Sequence, residues 1–183
     1  MRLLNTTVTS LQMSERPQQS ITPPAFAQPL VVEEVPAIPL ERYRALYRAV
    51  GEPHHWTSRL LPDAELRREI HRPAIRIFVA STAERSAGWF EIETRPAIGE
   101  SRIVHFGVMP EFRGRGLADF LLSQAIQAAF CEGVSCVSIE TNTLDHPAAL
   151  PLYLKHGFKR YATRQVQTPA IETVAGRAAA TMS

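Results

Sequence analysis

Cysteine is scarce in this chain of 183 residues: Cys131 and Cys136 are the only two. They fall at an expected helix end and on an expected strand, with no second pair and no histidine at ligand spacing. Neither a disulfide framework nor a zinc site is expected, and no metal is called for. Long apolar runs are missing too, and the start Met1-Arg2-Leu3-Leu4-Asn5 turns polar too soon for a signal peptide. No membrane association is expected, and the cytoplasm is the expected compartment. An excess of one charge is also lacking: Lys and Arg total 20 against 18 Asp and Glu, a formal net charge of +2. No stretch gathers the basic residues that a phosphate-backbone track needs, so nucleic acid is not an expected partner. Lysine is nearly absent, at positions 155 and 159 only, so the positive charge is arginine, which suits bidentate binding of phosphate and carboxylate.

What is present is ordinary core material, 45% hydrophobic residues, enough for one domain. Residues 4–13 alternate Thr and Val with apolar neighbours and read as a strand. Six of the 14 prolines lie between Pro17 and Pro39, so that stretch runs extended, with a short strand at 30–34. From Pro39 the period becomes helical through Leu40, Tyr43, Leu46, Tyr47 and Val50, ending at Gly51, and a second helix is expected over 62–70. Strands follow at 74–80, 88–93 and 102–108, joined by polar turns as an antiparallel meander. An apolar helix over 116–130, a strand at 135–140, a helix over 147–156 stopped by Gly157 and a last strand at 158–167 complete the order. The expected class is α+β, a mixed and mostly antiparallel sheet flanked by helices, with a strand-helix-strand crossover near the C-terminus. Residues 1–38 are expected to be an N-terminal strand and Pro-rich arm packed on a core of 39–168, with 169–183 a mobile tail.

The chemistry concentrates in Val108-Met109-Pro110-Glu111-Phe112-Arg113-Gly114-Arg115-Gly116-Leu117-Ala118, where a strand ends and a glycine-containing turn opens the apolar helix. The first N–H groups of a helix have no internal partner and point outward with the positive end of the dipole, so an anion can sit there. No Gly-Lys-Ser/Thr follows, which excludes a nucleoside-triphosphate loop, and Asp119 stands where the third small residue of a dinucleotide fingerprint belongs. Arginine-glycine contacts to nucleic acid occur in disordered repeats, whereas this segment occurs once and opens a helix.

The pattern left, Arg113-x-x-Gly116-x-Ala118, resembles the pyrophosphate signature of the GNAT acetyltransferase superfamily, Arg/Gln-x-x-Gly-x-Gly/Ala. Its surroundings resemble the family as well: Val108-Met109-Pro110 before it, and Ala149-Leu150-Pro151-Leu152-Tyr153-Leu154-Lys155-His156-Gly157-Phe158 after it, with similarity over roughly 39–167. The resemblance implies acetyl-CoA as co-substrate, its pyrophosphate held by backbone N–H groups of Arg113, Gly114, Arg115, Gly116, Leu117 and Ala118. The strand edge at Phe106 to Val108 would hold the pantetheine arm and offer N–H to the thioester oxygen, and Tyr153 would stand near the sulfur as proton donor. Where many members carry Asn before the last helix this chain has His146, with Asn142 four residues earlier, so the resemblance leaves both as coenzyme contacts. The implied activity is direct N-acetylation of an amine on a small molecule or peptide, and a homodimer is compatible with it. The alternative is a degenerate module of the same family that binds acyl-CoA as a sensor or scaffold.

An amine must be neutral to attack, so a base is needed. Glu91, Glu93 and His105 are the candidates. Glu91 ranks first because it sits among Trp89, Phe90 and Ile92, where burial is expected to raise its pKa, and His105 ranks second. His54, His55 and Trp56 lie in the loop between the first two helices, which resembles the family's variable acceptor side.

Overall fold

The computed structural model describes residues 2–26, 28–83 and 85–172. Seven strands form one sheet: β1 (Leu3–Met13), β2 (Leu30–Glu34), β3 (Ile75–Thr82), β4 (Arg85–Arg95), β5 (Glu100–Val108), β6 (Cys136–Asn142) and β7 (Lys159–Pro169). Their order across it is β2-β3-β4-β5-β6-β1-β7. Only β5 and β6 are parallel, because an α-helix crosses over between them. The four α-helices are α1 (Leu40–Gly51), α2 (Asp63–Ile70), α3 (Leu117–Ala129) and α4 (Ala149–Lys155). The architecture is the expected mixed α+β sheet.

Strand alternation sends side chains to two cores. Ile75, Ile77, Val79 and Trp89 pack with Tyr43, Leu46, Tyr47 and Val50 of α1 and Leu66 and Ile70 of α2. Phe90, Ile92, Ile103, Val137 and Ile139 pack with Leu117, Leu121, Leu122 and Ile126 of α3 and Tyr153 of α4. The period of two in β3 and β4 feeds one layer of helices on each face.

The N-terminal strand is built in more deeply than an arm packed on a domain. β1 lies inside the sheet, paired antiparallel with both β6 and β7, and it buries Leu11 and Met13. Its sequence reads as a strand, but nothing in it says that it will separate two strands over a hundred residues away. β4 extends past both expected ends, since Arg85 and Ser86 pair with Thr82 and Ser81 and narrow the expected turn. At the other end β7 reaches Pro169, Ala170 N donates to Arg2 O at 2.8 Å, and Ile171 N donates to His55 Nδ1 at 3.0 Å. The expected tail is therefore tied down over its first residues, and its remainder, 173–183, lies outside the described residues.

Two irregularities create the site. β5 pairs with β6 only from Glu100 to Ile103, after which the strands diverge: β5 stays with β4 as far as Val108, and β6 stays with β1 as far as Asn142. The β6-facing edge of 104–108 is left without a ladder partner. Within the β4–β5 ladder, Glu91 faces His105 but Ile92 faces Ile103, so Val104 is an extra residue, a β-bulge. The bulge resets the alternation. Ile103 belongs to the α3-side core, while His105, two residues on, turns its ring to Tyr47 and Trp89 on the α1 side.

Candidate active site

The divergence of β5 and β6 opens a cleft of about 900 Å³. One end is the turn before α3. Pro110–Phe112 make a single 3-10 turn, Arg113 is extended, and Gly114 and Gly116 stand at φ of 72° and 78°. Both glycines are in the left-handed region, where a side chain is strained. A Cβ on Gly114 would meet nothing within 4 Å, and one on Gly116 only Pro24 Cβ at 3.9 Å, so the space before the helix is open. Gly116 occupies the N-cap of α3 and no side chain caps it. Glycine in place of a capping side chain costs only about a few tenths of a kcal/mol. Four buried aliphatic side chains, Leu117, Leu121, Leu122 and Ile126, contribute about 1.5–3 kcal/mol each, so packing keeps the helix in place while its first N–H groups stay free.

The one acidic group in the first turn of α3 is drawn aside. Asp119 accepts from Lys155 Nζ at 2.7 Å and pairs with His156 Nε2 at 3.0 Å, contacts that lower its pKa. The residues here fit a pyrophosphate: free main-chain donors, an open approach and no unpaired carboxylate. Arg113, Gly114, Gly116, Leu117 and Ala118 line the cleft, and Arg113 Nε turns back to donate to Val108 O at 3.4 Å. Arg115 is exposed and off the cleft wall, so its expected part in binding reduces to its backbone.

Farther along the wall stand Phe106, Val108 and Tyr153. Tyr153 is 5% exposed, with Phe106 and Phe158 edge-on at 6.4 and 6.2 Å. Burial, helped by Asp145, pushes its phenol well above the usual value, so it stays protonated. Asn142 and His146 both line the cleft: Asn142 Oδ1 accepts from Leu144 N at 2.7 Å, and His146 Nδ1 accepts from Ala148 N at 3.2 Å.

Glu91 does not behave as the sequence leads one to expect. It is fully buried, as expected, but its pKa is lowered, to about 2. Desolvation alone would raise it, and His105 and Arg59 reverse the sign. Arg59 Nη2 contacts Oε1 at 2.6 Å, Tyr43 donates to Oε2 at 2.6 Å, and His105 Nδ1 lies 3.2 Å from Oε2. Such a carboxylate is ionised at neutral pH and too weak a base for an ammonium. Glu93 is likewise lowered, held between Arg95 and Arg72, and it does not fill the role either.

His105 is differently placed. An ionised carboxylate only accepts, so Nδ1 of His105 carries a proton and donates to Glu91, and in the neutral imidazole Nε2 is then the lone-pair nitrogen. Nε2 lies 3.2 Å from Ser58 Oγ, at the cleft. Trp56, Trp89 and Tyr47 wall the imidazole at 5.2, 5.9 and 5.2 Å. Sequence reasoning left out Ser58, Arg59 and Asp145. A buried glutamate requires a cationic partner, which was the available signal for Arg59. Asp145 carried none: it accepts from Trp56 Nε1 at 2.9 Å, and its other oxygen accepts from Thr141 Oγ1 and Asn142 N.

The family model described as the acetyltransferase (GNAT) family matches residues 41–158, more than half of the chain and every wall of the cleft except β1 and β7. The chain belongs to the GNAT acetyltransferase family. No curated protein matches it. Among solved members, an aminoglycoside acetyltransferase from an uncultured soil metagenomic sample, in complex with trehalose, is 17% identical with a TM-score of 0.58 and covers 79% of this chain and 90% of its own. A GCN5-related N-acetyltransferase from Sphaerobacter thermophilus is 18% identical with a TM-score of 0.59, over 92% of this chain and 54% of its own. A conserved protein of unknown function from Staphylococcus epidermidis is 14% identical at TM-score 0.59, and this chain spans 64% of its length. At such identities the likeness establishes the GNAT fold. Membership supports acyl transfer in general.

Proposed function

We propose that the chain is an acetyl-CoA-dependent N-acetyltransferase acting on an amine of a small molecule or peptide. The observation that carries this reading is one continuous cleft that joins the uncapped turn of α3, the unpaired edge of β5, the buried phenol of Tyr153 and the Nε2 of His105. Acetyl-CoA supplies an activated acetyl group, and the rest is done by the chain's own residues. The N–H groups of the α3 turn hold the pyrophosphate, and the open edge of β5 offers main-chain donors to the arm and to the developing oxyanion. His105 Nε2 takes the proton that the attacking ammonium must lose, and Glu91 fixes its tautomer and steadies the imidazolium that forms. Tyr153 donates a hydrogen bond to the departing sulfur. Its raised pKa makes full proton transfer to a thiolate unfavourable, so its part is that of a donor.

Calorimetry with acetyl-CoA tests the binding half. The intact protein should give heat, and Gly116→Glu, which puts a carboxylate into the turn, should abolish it while circular dichroism stays unchanged. No heat with the intact protein would sink the reading. Binding without thiol release across a broad panel of amines would favour the sensor module.

A further inference from the structure

Ser58 has no part in direct transfer to an amine, yet it completes a nucleophile, base and orienting acid. Its hydroxyl lies 3.2 Å from His105 Nε2, and His105 Nδ1 lies 3.2 Å from the fully buried Glu91 carboxylate. The tautomer fixed by Glu91 makes Nε2 an acceptor, so Ser58 Oγ is the donor, as deprotonation of a nucleophile requires. Each neighbour preserves the arrangement. Tyr43 and Arg59 hold Glu91 ionised from two sides, Trp56 and Trp89 clamp the ring, and Tyr47 Oη stands 3.3 Å from Ser58 Oγ. Arg59 Nε is buried without a hydrogen-bond partner among the described residues, a spare donor one residue from the hydroxyl. Ser58 itself is exposed and lines the same cleft as Phe106 and Tyr153, so an acyl group carried there can meet it.

We propose that Ser58 is a nucleophile, which gives the chain a second activity, hydrolysis of acyl-CoA through an acyl-Ser58 ester when no amine is present. The activity rests on the acyl-CoA reading above. In the first half, Ser58 Oγ gives its proton to His105 Nε2 and attacks the thioester carbonyl. The C–S bond breaks, and the thiolate leaves with the proton from the imidazolium. In the second half a water gives a proton to Nε2 and attacks the ester, Ser58 leaves as alkoxide and recovers that proton, and a carboxylic acid departs. The net change is acyl-CoA and water to free coenzyme and acid.

A fluorophosphonate probe, which labels activated serines and needs no coenzyme site, should modify the intact protein at Ser58. Labelling should be lost in Ser58→Ala and fall about 10²-fold or more in His105→Gln, the size of a general-base contribution. With acetyl-CoA and no amine, the intact protein should release coenzyme and, quenched in acid, show one acetyl group on the peptide that carries Ser58. Ser58→Ala should bind acetyl-CoA with the same calorimetric affinity and release none. Labelling without coenzyme binding would overturn the acyl-CoA reading and leave Ser58 an activated nucleophile. Coenzyme binding with neither label nor acetylated Ser58 would overturn the proposal, as would release of coenzyme by Ser58→Ala at the intact rate.

Discussion

Glu91 shows how one residue can be read correctly for burial and wrongly for charge. Its neighbours in β4 make it buried, and that much is written in Trp89-Phe90-Glu91-Ile92. The sign of its pKa shift depends on His105 and on Arg59, 32 residues earlier, which only the folded sheet brings to it. Its folded pKa of about 2 lies below the ordinary 4.5, so the stability it contributes is fully present above 4.5 and is lost as pH falls from there toward 2. Glu140, lowered to about 2 chiefly by its hydrogen bonds from Arg164, acts in the same direction. Glu91→Gln removes the close partner of the Arg59 guanidinium, leaving it only Glu69 at 3.8 Å, and should cost about 3 kcal/mol in urea denaturation at neutral pH. The stability of that variant should also fall less steeply between pH 5 and 3, and an equal slope would mean that Glu91 is not the ionised anchor. Because Gln can donate where the carboxylate only accepts, the His105 tautomer is no longer fixed. Turnover should drop about 10³-fold with the calorimetric affinity for acetyl-CoA kept. A matched drop in affinity would place Glu91 in binding instead. Tyr153→Phe, which keeps the ring against Phe106 and Phe158, should lower kcat about 10²-fold and leave KM for the coenzyme nearly unchanged; an unchanged kcat would remove the phenol from the reaction.

The elements themselves were legible because periodicity is local. Leu40, Tyr43, Tyr47 and Val50 face one core at helical spacing, and α3 was announced by its apolar stripe and its glycine turn. The bulge at Val104 and the divergence of β5 from β6 were not legible, since both are relations of register between strands. Yet they decide the chemistry: without the extra residue, His105 would face the same side as Ile103 and lose Glu91. A close approach holds β5 in that position. A Cβ on Gly107 would stand 2.2 Å from Val50 Cγ1, so α1 rests directly on the strand there. Gly107→Ala should destabilise the protein by about 1–3 kcal/mol through overpacking, and Val50→Ala in the same chain should recover a large part of it. Simple additivity of the two substitutions in thermal denaturation would mean that the strain is relieved elsewhere.

Across the whole molecule the arginine bias acquires a structural meaning. Arg95, Glu93, Arg72, Glu69, Arg59 and Glu91 form a chain of ion pairs from the surface to the cleft, and each cation in it is an arginine. A forked guanidinium can hold two carboxylates at once, as Arg59 holds Glu69 through Nη1 and Glu91 through Nη2, which a lysine does less well. The cleft is bridged between its two arms. His54 Nδ1 lies 2.9 Å from Leu144 O and Trp56 Nε1 donates to Asp145, so the α1–α2 loop on the β5 side is joined to the β6–α4 loop on the other. Under the proposed function an acceptor amine would enter beside this bridge, whose strength sets how easily the two arms part. Trp56→Phe removes one donor while keeping a ring to pack on His105 and Tyr47, and the second oxygen of Asp145 still holds Thr141 and Asn142. A hydrogen bond to a carboxylate contributes about 1.5 kcal/mol or more, so amide exchange over residues 143–148 should quicken about tenfold. The KM for the amine should shift with it by more than the affinity for acetyl-CoA, whose pyrophosphate is held at the α3 turn. Unchanged exchange would mean that the two arms are held apart by the sheet alone and that Trp56 serves only to wall in the imidazole.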